Sequence, residues 1–412
     1  MVVTAMKPKI MALDGAKAVA EAMRQMNPDV VAAYPITPQT EIVQTFSQFV
    51  ADGIVDTEFV PVESEHAAMS ACVGAAAAGG RVQTATTSAG MALMWEMLYI
   101  AASLRLPIVM HFVNRALSAP LNIHCDHSDS MGARDAGWIH LFAENAQEAY
   151  DNAIQSVRIA EAARLPVLHT QDGFIISHGV ERVEILPDEA VREFIGQYKP
   201  ERTLLDTQNP ASFGILDLQD YYFEHKRQQV EAMDKAPAII LEVGQAYGQL
   251  TGRRYGFFDA YKLDDADIAV LVLGSTAGTA KGVVDDLRAK GVKAGLLKLR
   301  LFRPFPVNEI TAALKGKKAV AVLDRSISFG GQGGPVFIET CAALFNANAC
   351  PDTLQNRKCI GACPSPKVVD YIYGLGGRDV TPDQIRQAFD DLRQIAETGQ
   401  IKSLIGYLGL RD

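Results

Sequence analysis

Between Val30 and Arg115 the chain repeats one pattern: a short apolar run, a polar or small residue, then a segment with helical spacing. The runs are VVAAYPITPQTEIVQTF from Val30, FVPVESEHAAMSACVGAAAAGG from Phe59, TATTSAG from Thr84 and LPIVMHFVNRA from Leu106. Strands that hand over to helices in this way build a parallel sheet covered on both faces. In such open sheets, ligands bind where strand carboxyl ends meet helix amino ends. Thr37, Glu65, the Thr87-Ser88 pair and Arg115 all fall at such ends. A hydroxyl, a carboxylate and a guanidinium gathered on one rim suit a small anionic substrate.

The rest of the chain extends the pattern. Strands are expected at 138–143 and 165–170 with a helix at 146–164 between them, and residues 181–265 read as a bridging segment of weak periodicity. A second α/β unit follows: strands at 268–274, 294–299 and 319–324, helices at 279–290 and 335–345, and a helix start at Thr381-Pro382. The expected fold is α/β, two doubly wound units. The domain division is 1–235 with a connector from about 181, a linker at 236–265, and a second domain at 266–412. With 412 residues the chain exceeds what one core supports.

Local signals sharpen this. Asp14 is positioned to cap a helix through Met26, Thr37 to cap one that begins at Pro38, and Ser64 to cap one running to about Ala78. A mostly apolar helix is expected over 89–104. The stretch 116–135 lacks periodicity and exceeds the usual loop of about 12–15 residues, which marks it as functional or disordered; its His124, Asp126, His127 and Asp129 favour a functional loop.

Composition excludes several classes. A net charge of −9 argues against nucleic acid as the main partner. No apolar run approaches the roughly 20 residues of a membrane span, and the first residues lack a signal-peptide pattern. Six cysteines in so long a chain read as reduced thiols in a cytoplasm.

Each candidate residue carries a plain reading beside the functional one. Thr37 before proline is a helix cap. Glu65 at a helix start complements the helix dipole, or acts as a carboxylate in low dielectric that shares a proton with a ring nitrogen. His66 beside it packs or caps. Arg115 pairs Asp126 or Asp129, or holds a substrate carboxylate by a bidentate fork. The His124–Asp129 group matches no zinc spacing, so no metal site is assigned. Cys350, Cys359 and Cys363 lack iron–sulfur spacing. Gly274 to Gly278 follows a strand as a phosphate loop would, without matching a nucleotide fingerprint.

Taken together, YPITP (34–38), VESEHAAM (62–69), NRA (114–116) and DHSD (126–129) are far more specific than any one of them. The chain resembles the α subunit of 2-oxoacid:ferredoxin oxidoreductases, the pyruvate synthase group. The resemblance continues through TGRRYG (251–256), LRLFRPFP (299–306) and VLDRSISFG (322–330). It implies a first domain that holds the aminopyrimidine of thiamine diphosphate and a second like the carboxy-terminal domain of transketolase. It further implies that Glu65 hydrogen-bonds the pyrimidine, with Pro35 and Ile36 beside the cofactor, while Thr37 and Arg115 bind substrate.

The chemistry so implied is oxidative decarboxylation of a 2-oxo monocarboxylate to acyl-CoA and carbon dioxide. Pyruvate is the default substrate, with branched-chain or aromatic acids such as phenylglyoxylate requiring only another pocket wall. Coenzyme A is the co-substrate, and ferredoxin the acceptor, or NAD through a flavin subunit. The chain has no GDG motif to hold Mg²⁺ on the diphosphate. The resemblance therefore implies half an active site, completed by a β subunit carrying diphosphate, Mg²⁺ and a [4Fe-4S] cluster, with γ and ferredoxin-like δ subunits. Two alternatives remain at this point: a non-catalytic structural or regulatory subunit of such a complex, and a nucleotide-binding dehydrogenase built on 274–278.

Overall fold

The computed structural model describes residues 8–349 and 365–411; Cys350, Cys359 and Cys363 lie outside the described residues. Seven strands form the first sheet, in the spatial order Leu301–Arg303, Ile139–Phe142, Val167–Asp172, Val109–Asn114, Val82–Thr86, Val30–Ala33 and Glu58–Pro61. All neighbours are parallel except Leu301–Arg303, which runs antiparallel to Ile139–Phe142. Six more strands form the second sheet, in the order Ile405–Leu408, Lys367–Tyr373, Ala319–Asp324, Ile268–Leu273, Ala294–Leu299 and Phe258–Tyr261, the last antiparallel. A hairpin-like pair, Lys9–Asp14 with Val180–Ile185, stands apart.

The first sheet reverses direction at Val30–Ala33. From Val30–Ala33 the chain moves outward to Glu58–Pro61, then crosses back to Val82–Thr86 on the other side. The helix Thr40–Ala51 buries Ile42 and Phe46 on one face with Val19 and Ile154. The helices after the next two strands bury Met69, Met91 and Leu98 on the opposite face. Such a reversal opens a crevice at the strand carboxyl ends, because the flanking helices diverge to opposite faces there.

The two caps at Asp14 and Ser64 form as expected, each accepting from a backbone N–H three residues on. Thr37 is not a cap. The helix begins at Thr40, and Thr37 and Pro38, joined by a cis peptide, belong to the turn before it. The expected helix at 89–104 is two helices, Ser88–Leu93 and Trp95–Ser103, with a break at Met94.

The linker expected at 236–265 is helical over its first half. One helix runs from Tyr222 to Thr251 and packs on Ala146–Ala163, burying Ala236, Ile240, Val243 and Tyr247 at helical spacing. Pro237 and its glycines argue locally against a helix, and tertiary packing of the apolar stripe overrides them. This helix is fastened at its end by Asp151, fully buried in Ala146–Ala163. Its carboxylate accepts from Tyr247 (2.6 Å), Tyr255 (2.5 Å) and Arg253 Nε and Nη2 (2.6 and 2.9 Å). The TGRRYG run is thus a clasp on the first domain.

LRLFRPFP crosses between the sheets. Leu299 closes a strand of the second sheet and Leu301 opens the edge strand of the first. Arg300 between them is buried and donates to Asn152 Oδ1 (2.8 Å) and Gln155 Oε1 (3.3 Å).

Removing one partner from a buried charge network strands the others, at about 3–5 kcal/mol. Asp151→Ala is expected to lower the unfolding free energy of the chain by about that amount, measured by denaturant titration.

Candidate active site

The turn after Val30–Ala33 is pinned by Gln39. Its Nε2 donates to Ala85 O (2.9 Å) and its Oε1 accepts from Ile36 N (3.1 Å), which ties YPITP to the neighbouring strand Val82–Thr86. Thr37 is exposed, and its carbonyl accepts from Arg115 Nη1 (2.8 Å). Arg115 Nε donates to Asn122 O (3.1 Å). The structure therefore brings Thr37 and Arg115 together.

Arg115 is buried, yet among the described residues no carboxylate forms an ion pair with it. The pairing with Asp126 or Asp129 left open by the sequence is not made. Asp129 serves the backbone instead: it accepts from Arg115 N (2.8 Å), Ser88 N (3.0 Å), Ser130 N (2.7 Å) and Asn114 Nδ2 (2.9 Å). Burial pushes Asp129 up to about 7, against the pull of these hydrogen bonds. Ser88 sits at φ 43°, a conformation that costs energy for a residue with a side chain, and is held there by Asp129 and by Ala116 O. Asp126 closes a turn with Ser128 (3.0 Å to its N–H).

Glu65 is the first residue of the helix Glu65–Ala77 and is 6% exposed. Its carboxylate has no hydrogen-bond partner among the described residues. It lies against Gly90, where a Cβ would stand only 2.8 Å from Glu65 Oε1. The Thr86 hydroxyl, on the same side of Gly90, is buried without a partner. The bare backbone of Gly90 is thus a cradle occupied by the Glu65 side chain and the Thr86 hydroxyl themselves. His66 is half-exposed, with its ring 3.8 Å from Glu96, and takes no part in the cradle.

A second cluster lies behind the rim. Cys125, His127 and Asp172 offer ligand atoms within 4.8 Å of one another. Asp172 is already saturated: it takes His127 Nε2 (2.8 Å), Arg325 Nη1 (3.1 Å), Ser275 N (3.0 Å) and Ser275 Oγ (2.6 Å). Burial alone would raise the Asp172 pKa, but the charge and hydrogen bond of His127, with Arg325, hold it well below the usual carboxylate range. A cation here would face the Arg325 guanidinium, so the set reads as an ion-pair clasp rather than a metal site. It also disposes of 274–278 as a phosphate loop, because the loop's N–H and hydroxyl donors at Ser275 are spent on Asp172.

Residues 21–245 match the family described as pyruvate flavodoxin/ferredoxin oxidoreductase, thiamine diP-bdg. Residues 266–385 match pyruvate:ferredoxin oxidoreductase core domain II. The chain belongs to the pyruvate flavodoxin/ferredoxin oxidoreductase family. It is 54% identical over 404 residues to the pyruvate synthase subunit PorA of Thermotoga maritima, covering 97% of this chain and 98% of that protein. The PorA of Pyrococcus furiosus is 44% identical over 397 residues, with 96% of each covered. The ketoisovalerate oxidoreductase subunit VorA of Pyrococcus horikoshii is 40% identical over 400 residues, with 97% of this chain and 98% of that one covered.

Two solved structures share the fold of this oxidoreductase family member. One is a 2-oxoglutarate:ferredoxin oxidoreductase from Magnetococcus marinus, at TM-score 0.66 and 21% identity. The alignment covers 94% of this chain and 65% of that one, so this chain spans about two thirds of its length. The other is a split-gene transketolase in an inactive β4 tetramer, at TM-score 0.51 and 12% identity, covering 94% and 98%.

The rim fits the thiamine diphosphate this family binds. Glu65, 6% exposed and seated against the bare backbone of Gly90, offers a carboxylate that accepts from no donor among the described residues. Sequence reasoning missed Gly90, Asp172 and Arg325, and named Asp129 only as a loop residue or a side-chain partner for Arg115. VLDRSISFG contains Arg325 and Asp172 closes the strand Val167–Asp172, but only the tertiary structure reveals that they meet.

The sign of the Asp172 shift fixes a pH dependence. A carboxylate held below its ordinary value of roughly 4 contributes its full stabilisation above that pH and loses it as pH falls towards the depressed folded value. Asp172→Asn is expected to cost about 3–5 kcal/mol at pH 7. In paired denaturant unfolding, the gap to the wild type narrows below about pH 4.

Proposed function

We propose that this chain is the pyrimidine-binding α subunit of a thiamine diphosphate-dependent, CoA-acylating 2-oxoacid:ferredoxin oxidoreductase, with pyruvate as its substrate. The observation that carries this reading is a pair of buried, opposite charges on one sheet rim, Glu65 and Arg115, each without an ionic partner among the described residues. Buried charges are ordinarily paired, and a site that leaves them open keeps them for ligands.

Glu65 is assigned to the aminopyrimidine ring nitrogen, where a carboxylate in low dielectric holds a shared proton strongly. Pro35 and Ile36 are assigned to the edge of the same ring, on the backbone that Gln39 fixes. Arg115 is assigned to the substrate carboxylate. Two of its donors are occupied by the Thr37 and Asn122 carbonyls, which aim the guanidinium and leave its remaining N–H groups for the ligand. The Thr37 hydroxyl, with no partner among the described residues, is assigned to the substrate beside it. When bound, the cofactor's contribution is an electron sink for decarboxylation; the protein contributes orientation, a proton site and exclusion of water.

A threonine rather than a second arginine in YPITP favours a monocarboxylate, and the kinship with PorA proteins favours pyruvate over the branched-chain acid named for VorA. The missing GDG motif supports a β subunit that holds diphosphate, Mg²⁺ and a [4Fe-4S] cluster, with γ and ferredoxin-like δ subunits completing the complex. No helix of the described residues is long and apolar enough to cross a membrane. The free thiols at Cys72, Cys125 and Cys341 support a cytoplasmic setting.

The test is anaerobic purification of the native assembly and dye reduction with a panel of 2-oxoacids and CoA. Pyruvate-dependent reduction by a multi-subunit complex is expected; an intact complex that reduces nothing would leave a structural subunit as the better account. In the active complex Glu65→Gln is expected to lower kcat by about 10²–10⁴-fold, the usual weight of a positioned acid–base group, with assembly unchanged. Gly90→Ala, which drives a methyl group against Glu65 and Thr86, is expected to lower kcat by about 10²-fold, with a loss of stability of about 1–3 kcal/mol from overpacking.

A further inference from the structure

Arg115 is aimed by a carbonyl that the second domain holds in place. The Asn122 carbonyl accepting from Arg115 Nε lies in the long loop after Val109–Asn114, and that loop is half-exposed on its own. What fixes it is the glycine turn Gly374–Gly377 that follows the strand Lys367–Tyr373 of the second sheet. Asn122 Nδ2 donates to Gly376 O (3.0 Å), Gly376 N donates to Asp126 Oδ2 (3.2 Å), and Gly377 N donates to Cys125 O (2.6 Å). Within the loop, Asn122 Oδ1 accepts from His124 N (2.7 Å), so one amide side chain joins the turn and the loop at once.

The turn needs its glycines. Gly376 and Gly377 have φ of 59° and 76°, where a side chain is strained. A Cβ on Gly376 would run into the Asn122 amide and one on Gly377 into His124. The turn is itself tied to the interdomain clasp, since Arg325 Nε donates to Gly374 O (3.1 Å) while its Nη1 binds Asp172.

We infer that Asn122, clasped by Gly376, is a positioning residue for substrate: the second domain sets the direction of Arg115 through the Asn122 carbonyl, and so sets affinity for the 2-oxoacid carboxylate. The inference rests on the assignment of Arg115 to that carboxylate. A guanidinium carried on a rigid strand but steered by a loop carbonyl is sensitive to small loop shifts, because a bidentate fork tolerates little misalignment. Neither Asn122 nor Gly376 touches the pyrimidine cradle around Glu65, so loss of the clasp acts on substrate binding rather than on the proton site.

The experiment uses the complete complex, with Asn122→Ala and Gly376→Ala made separately and each combined with Arg115→Ala. Asn122→Ala deletes the amide; Gly376→Ala keeps it and pushes it away, so one remains informative if the other does not assemble. Expected is a KM for the 2-oxoacid raised about tenfold with kcat within about twofold, in both single variants. In the Arg115→Ala background the further rise in KM vanishes, because residues acting through one group are not additive. An unchanged KM in the single variants, or an equal rise in both backgrounds, would overturn the clasp while leaving Arg115 its role. If Arg115→Ala itself leaves KM unchanged, the carboxylate assignment falls and the inference falls with it.

Discussion

The buried carboxylate of Asp172 is the joint on which the geometry of the molecule turns. It ends the interior strand Val167–Asp172 of the first sheet, and its two oxygens serve His127 from the long loop, Ser275 from the second domain and Arg325 just after Ala319–Asp324. Removing such a group from water costs several kcal/mol, which only a nearly complete set of donors offsets. That requirement imposes a specific relative position on three pieces of chain at once. An apolar contact of equal area would hold the domains together without fixing how they meet. Phe142, Met131, Leu299 and Phe302 supply the apolar contact; Asp172 supplies the register.

That register matters because the rim is assembled from both sides. The first sheet alone provides the crevice, through the reversal between Val30–Ala33 and Val82–Thr86. It places Glu65 at a helix start and Arg115 at a strand end. The loop that aims Arg115 belongs to the first domain in sequence, but its hydrogen bonds run to Gly376 and Gly377. The crossing at Arg300 adds a covalent tie, with Leu299 and Leu301 in different sheets. A rigid two-domain body follows from these contacts, and a rigid body is what a site with few moving side chains requires.

Much of this was legible from spacing alone. The period-2 and period-3.6 segments gave the strands and helices of the first sheet, the capping residues Asp14 and Ser64 were readable from their types, and the rim residues followed from where strands end. Three kinds of information were not local. The helix Tyr222–Thr251 contains Pro237 and looks like a connector until its apolar stripe meets Ala146–Ala163. Thr37 looks like a cap because the rule for threonine before proline does not register that the turn is pinned three-dimensionally by Gln39. The Asp172 clasp joins residues about a hundred and more positions apart, Ser275 and Arg325, and no pattern in either segment names the other.

The same contrast separates what stabilises the chain from what equips it. Asp151 and Asp172 are buried carboxylates with every oxygen engaged, and Asp129 is spent on backbone N–H groups. Glu65 and Arg115 are buried to a similar degree, yet the first has no partner among the described residues and the second has only carbonyls. Asp370 lies between these extremes: its Oδ2 accepts from Gly334 N (2.6 Å), while its Oδ1 is buried without a partner among the described residues. Leaving such groups open lowers stability, and evolution tolerates that where the open group meets a ligand. Open buried groups also occur away from the rim, at Asp370 Oδ1 and at Arg300, which has no ion pair among the described residues; what sets Glu65 and Arg115 apart is that both stand where strand carboxyl ends meet a helix start and a loop, the place where open α/β sheets bind ligands.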